Sequence, residues 1–165
     1  MTLVPTKDHG IFILGGVGSH NCLQFKNKNI IVKSQMPEKN FFSAVCKGNK
    51  IYIFGGYDNY EKIQLKTCEV YDIDKDEWKT LDVQLNTARS QSSATLFDDD
   101  AIFIMGGFNK EMGTLATIEK FDFKNNKITK LDVVMPTALR RFSSCLLYTS
   151  PSPRDLSTSR MPSSA

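Results

Sequence analysis

The chain has no block of clustered lysine and arginine. Its basic residues, among them Lys7, Lys26, Lys28, Lys47 and Lys50, are scattered, and the net charge is only +3. No basic stripe exists to follow a phosphate backbone, which excludes nucleic acid as the expected partner. No apolar run approaches the roughly 18 residues that a membrane span needs. The opening MTLVPTKDHG lacks a basic start followed by a long apolar core, so it does not read as a signal peptide. Four cysteines, Cys22, Cys46, Cys68 and Cys145, lie far apart with no C-x-x-C pair. A zinc site or disulfide framework is therefore not expected, and reduced thiols packing as small apolar residues imply a cytoplasmic protein. The two histidines, His9 and His20, belong to no spaced ligand set. His20 with Cys22 gives two loop residues, too few for a metal. The acidic turn Asp98–Asp100 has no further oxygen ligands nearby, and calcium takes six or more. No cofactor is expected.

What is present is a repeat. HGIFILGG at residues 9–16, NKIYIFGG at 49–56 and DAIFIMGG at 100–107 each read as a polar lead-in, four apolar residues and a glycine pair. Such a run fits a short strand buried on both faces, ended by glycines that permit positive φ and close backbone approach. A second strand follows each: NCLQF at 21–25, TCEVY at 67–71 and TIEKF at 117–121. Seven residues beyond the closing Phe25, Tyr71 and Phe121 stand Val32, Trp78 and Ile128, which predicts a hairpin in each copy. Next come Met36-Pro37, the LNTAR stretch with Leu85 and Arg89, and MPTALR with Met135. Each leads into a small or hydroxyl-rich segment that would pair with the next Gly-Gly strand. Each repeat thus holds about four short strands, and no segment has a helical pattern.

With these landmarks the sequence resembles the kelch-repeat family over residues 2–144. The Gly-Gly pairs, Tyr71 with Trp78, and the Met-Pro or Leu-Asn turn with Arg89 carry the resemblance. It implies an all-β fold, a partial kelch-type β-propeller of about three four-stranded blades, with Trp78, Tyr71 and Phe121 in the layers between them. The expected divisions are a degenerate first blade at 1–36, a second at 37–85, a third at 86–135 and the start of a truncated fourth at 136–144. A complete propeller usually has about 4–8 blades, so the reading is of a fragment that continues past Ser144 and whose true start is not fixed at Met1. Unmatched terminal blades would promote association.

Residues 145–165 break the pattern. They contain no Lys, Gly, Phe, Ile or Val and hold half of the six prolines. Back-translated, Cys145–Asp155 and Ser159–Ala165 resemble the two ends of a transposase-type sequencing-library adapter, with room for an index between them. The tail is read as translated adapter and is expected to be disordered.

The resemblance implies a non-catalytic module that binds a partner protein, with neither nucleic acid nor membrane. Its loops at one mouth of the channel would make the contact, as in ubiquitin-ligase substrate adaptors or cytoskeletal scaffolds. Alternatives are a fragment of a propeller enzyme such as a copper radical oxidase, or a structural repeat in a larger protein. Carried over position by position, the family pattern places Val17, Tyr57 and Phe108 after the glycines, and Arg89 with Ser90 after the turn, on the ligand side. Asp58, Asn59 and Tyr60 extend the Tyr57 loop, and Arg140 stands in the third copy where the register is blurred with Leu139. No catalytic residue and no metal ligand is assigned.

Overall fold

The computed structural model describes residues 1–16, 18–97 and 100–144. The expectations for Val17, for Asp98 and Asp99 in the acidic turn and for the 145–165 tail lie outside the described residues. Three four-stranded antiparallel sheets follow one another along the chain, and among the described residues there is no helix. The first contains β1 (Thr2–Pro5), β2 (Ile11–Gly16), β3 (Ser19–Lys26) and β4 (Asn29–Lys33) in chain order. The second is built from β5 (Ser43–Lys47) and β6 (Lys50–Phe54). A small hairpin of β7 (Tyr57–Asp58) and β8 (Ile63–Gln64) interrupts it before β9 (Thr67–Asp72) and β10 (Glu77–Gln84) complete it. The third repeats that plan with β11 (Ser93–Phe97), β12 (Ala101–Met105), the hairpin β13 (Phe108–Asn109) with β14 (Gly113–Thr114), β15 (Thr117–Asp122) and β16 (Lys127–Val134). These sheets are the blades. Their first strands face one another, with β5 between β1 and β11.

Strand side chains alternate between the two faces of a sheet, and every blade uses both. The Val4, Phe12, Leu14 and Cys22 face of the first blade buries itself against Ile51, Ile53 and Tyr71 of the second. Phe54 and Cys68, on the opposite face of the second blade, pack against Ile102, Ile104, Phe121 and Ile128 of the third. Phe12 meets Tyr71 edge to face at 5.8 Å, and Tyr71 stacks on Trp78 at 4.9 Å. These aromatic pairs fill the layers between blades. The Tyr71 hydroxyl donates to Asp76, and the Trp78 indole N–H donates to the Ser34 carbonyl at 3.1 Å, so both polar tips are satisfied.

One sequence landmark shifts. Equal spacing aligned Val32 with Trp78 and Ile128, but register places Ile30 opposite Phe25, as Trp78 is opposite Tyr71 and Ile128 opposite Phe121. The turn at Asn27 and Lys28, both at positive φ, is tighter than its counterparts in the later blades.

The glycine pairs end β6 and β12 for a steric reason. Gly55 and Gly106 sit at φ +61° and +59°, and a Cβ on either would strike the carbonyl oxygen of Arg89 or Leu139. The connectors that join successive blades press directly on these glycines. Gly55→Ala is expected to destabilise the second blade by about 1–3 kcal/mol, read as a lower urea midpoint. The same substitution at Gly48, where nothing lies within 4 Å of the added carbon, loses only the cost of its φ of +58°.

The acid limb of stability also follows from this packing. The Tyr71 hydroxyl, the Ser34 N–H and the nearby Lys33 ammonium hold the Asp76 carboxyl below its usual range. The folded chain therefore binds fewer protons than the unfolded chain below about pH 4. The contribution of Asp76 is present above that pH and is lost as pH falls through its lowered folded value. Asp76→Asn is expected to flatten that part of the acid unfolding curve.

Candidate functional site

In each blade the strand-two-to-strand-three loop and the connector to the next blade emerge at the same end of the sheet. The β7–β8 and β13–β14 hairpins therefore stand beside connectors 34–42, 85–92 and 135–142. Backbone pairs bind the two sets of loops. Asn40 and Tyr57 exchange N–H···O bonds of 2.9 and 2.7 Å, and Ser90 and Phe108 exchange bonds of 3.0 and 2.7 Å. The connectors also bond to each other. The Gln91 N–H donates to the Phe41 carbonyl at 2.6 Å, and the Arg141 N–H donates to the Gln91 carbonyl at 2.9 Å. Phe41, Gln91 and Arg141 all take positive φ, at 55°, 58° and 56°. The same backbone bend recurs every fifty residues.

Arg89 occupies an unexpected place. It is fully buried, not presented on a loop surface. Its backbone belongs to the second blade: the Gly56 N–H donates to the Arg89 carbonyl at 2.8 Å. Its guanidinium belongs to the third, donating to the Gly106 carbonyl at 2.9 Å, to Thr117 Oγ1 at 3.1 Å and to Glu119 Oε1 at 2.6 Å. Glu119 also accepts from the Asn86 and Thr87 N–H groups, at 2.6 and 3.0 Å, and from Asn86 Nδ2 at 3.0 Å. Burial pulls the guanidinium below its ordinary range while Glu119 holds it up. Ser90 is buried as well. In this structure both residues support the loop face from beneath.

Sequence reasoning missed a second clasp of the same kind. Lys39 Nζ donates to both Glu69 carboxylate oxygens, at 2.9 and 2.6 Å, and to Thr67 Oγ1 at 2.8 Å, with both charged side chains buried. Burial lowers the Lys39 ammonium from its usual range, and Glu69 opposes that shift. The signal was available. Lys39 and Arg89 are fifty residues apart, as are Glu69 and Glu119. The Met-Pro and Leu-Asn landmarks of unequal length hid that register.

The remaining candidates lie on the exposed side of the same loops. Asp58 Oδ1 accepts from the Tyr60 and Glu61 N–H groups at 2.8 and 3.0 Å, so the carboxylate shapes its own hairpin tip. Asn109 does the same for Glu111 and Met112 in the third blade. Asn59 is exposed, and Tyr60 at the tip is 77% exposed. Tyr57 and Phe108 are half-buried. Arg140 lies over the Phe108 ring at 4.9 Å, a cation–π contact. The register resolves Leu139, not Arg140, as the counterpart of Arg89, because Gly107 donates to the Leu139 carbonyl at 2.8 Å as Gly56 does to Arg89. Between the two hairpins runs an open groove of about 840 Å³, floored by Asn86–Ala88 and walled by Glu61–Gln64 and Asn109–Met112. Ile63 and Met112 expose half or more of their surface on its walls.

Among the described residues no group of three or more His, Cys, Asp or Glu side chains could hold a metal ion. Burial pushes the Cys22 and Cys68 thiols up to about 12, so both stay protonated and act as apolar packing.

Breaking the Arg89 clasp should be costly. Arg89→Met alone leaves the Glu119 carboxylate buried without its cation, with an expected loss of about 3–5 kcal/mol. Arg89→Met with Glu119→Leu should recover most of that loss in urea unfolding, because no charge is then stranded.

Comparison with known proteins fits this geometry. The Kelch motif family matches residues 39–81, the span from the first buried cation into β10. Kelch-like protein 25 from Xenopus laevis is 31% identical over 137 residues, covering 74% of this chain and 23% of that protein. F-box/kelch-repeat protein SKIP20 from Arabidopsis thaliana is 30% identical, with 67% of this chain and 25% of that protein covered. Kelch domain-containing protein 3 from Bos taurus is 26% identical, at 67% and 33%. The chain spans between about a quarter and a third of the length of these curated relatives.

Proposed function

The chain belongs to the kelch-repeat family, and from that premise we propose that it is a protein-interaction module receiving a partner protein on the face that carries its hairpins and connectors. The observation that carries this reading is the division of labour on that face. Buried clasps and backbone pairs fix the loops, while Tyr60, Ile63 and Met112 stay exposed at the hairpin tips around the groove. Rigid loops lose little entropy on binding, and exposed Tyr and Met side chains are residue types enriched where proteins meet. Tyr57, Asn59, Phe108 and Arg140 extend the same surface. Asp58, Arg89 and Ser90 serve it indirectly, by holding the loops in place.

The finer reading is a substrate-recognition part of a cytoplasmic ubiquitin-ligase adaptor, or a cytoskeletal scaffold. The kelch-like and F-box/kelch-repeat relatives support a module of this general kind.

The test is proximity labelling in cells with the chain and with a Tyr60→Ala, Met112→Ala variant. Both side chains are exposed, so the thermal midpoint should not move. Labelling of bound proteins should fall by about tenfold, as expected when interface anchors are truncated. An unchanged set of labelled proteins would remove this face from consideration.

A further inference from the structure

The groove between the β7–β8 and β13–β14 hairpins is shared by two adjoining blades, and its walls are tied to each other. The Lys110 N–H on one wall donates to Gln64 Oε1 on the other at 3.1 Å. Asn109 Nδ2 donates to the Ala88 carbonyl of the floor at 2.8 Å. The width of the groove is therefore set before anything enters it, which lowers the entropy cost of filling it.

The groove offers positive charge. Lys62 and Lys110 stand on opposite walls, and Lys66 lies beside the floor, where its carbonyl accepts from the Leu85 N–H at 2.9 Å. All three are exposed, and among the described residues none forms an ion pair. They outnumber the two wall carboxylates, Glu61 and Glu111. Both of those sit at hairpin tips, their N–H groups held by Asp58 and Asn109. The carboxylate nearest the floor, Glu119, is already engaged. It accepts four hydrogen bonds, from Arg89, Thr87 and twice from Asn86, which fills the sites a carboxylate has.

The floor also offers main chain. Among the described residues the Asn86 carbonyl accepts no hydrogen bond and the Ala88 N–H donates none. A free carbonyl and a free N–H two residues apart suit the backbone of an extended peptide. Above them Ile63 and Met112 put apolar surface on the walls.

We propose that this groove takes an extended acidic segment of the partner protein. Its main chain lies along Asn86–Ala88, its carboxylates meet Lys62, Lys66 and Lys110, and an apolar side chain sits between Ile63 and Met112. A basic segment would face three lysines with no compensating charge at the floor. This inference rests on the reading that the loop face receives a protein, and it adds the chemistry of what is received.

The test is selection of displayed random ten-residue segments on the whole chain at about 0.1 M salt. Asp and Glu beside Leu, Ile, Met or Phe should be enriched. Synthetic peptides of the selected sequences should bind about tenfold or more weakly to a Lys62→Gln, Lys66→Gln, Lys110→Gln variant. Its thermal midpoint should hold, because all three side chains are exposed. Binding should also fall at about 1 M salt, where screening shortens from about 10 Å to about 3 Å. Failure to select any segment, enrichment of Lys and Arg, or acidic peptides indifferent to the triple variant would each overturn the proposal. The same variant separates this inference from the reading beneath it. If cellular labelling falls with Tyr60→Ala, Met112→Ala but not with the lysine substitutions, the face stands and the acidic segment does not.

Discussion

Everything on the loop face depends on a cation and a carboxylate taken out of water together. Arg89 with Glu119, and Lys39 with Glu69, are buried pairs whose remaining hydrogen-bonding capacity is met by backbone groups and threonine hydroxyls. A buried ion pair adds little net stability over an apolar substitute, but breaking it is expensive. Its consequence here is positional. The Arg89 backbone is fastened to one blade and its side chain to the next, so the connector has one path, and the hairpins it touches have one place to stand.

From that constraint the layer packing follows. With the connectors fixed, the first strands of the three blades lie side by side and the sheet faces meet as apolar layers of Phe, Tyr and Ile. Glycine at 55 and 106 is what lets the connector carbonyls approach so closely. The left-handed bend at Phe41, Gln91 and Arg141 passes the hydrogen-bonding groups of one connector to the next. Rigidity and exposure are thereby separated. The buried Arg89 that a sequence reader would assign to a partner is occupied in holding loops, while Tyr60, Ile63 and Met112 are among the side chains exposed at the tips.

The blade plan was legible because it repeats. Apolar runs ending in Gly-Gly, with an aromatic closing the following strand, mark strands through alternation and glycine chemistry, which act locally. Less legible was anything that depended on which residue lies opposite which. Val32 matched Trp78 in spacing but not in register, because a tight turn at Asn27–Lys28 shortens the first hairpin. Arg89 was visible as a landmark, yet its burial was not, because burial depends on Glu119, thirty residues away in another blade.

The sequence alone determined the strand content, the repeat and its membership of the kelch family, since each rests on the order of apolar, glycine and turn residues along the chain. The tertiary structure alone decided which charges are internal and that Leu139 rather than Arg140 continues the Arg89 position. The physical reason is that pairing and burial are set by contacts between distant segments. A guanidinium on a surface loop and one locked against a carboxylate have the same letter in the chain.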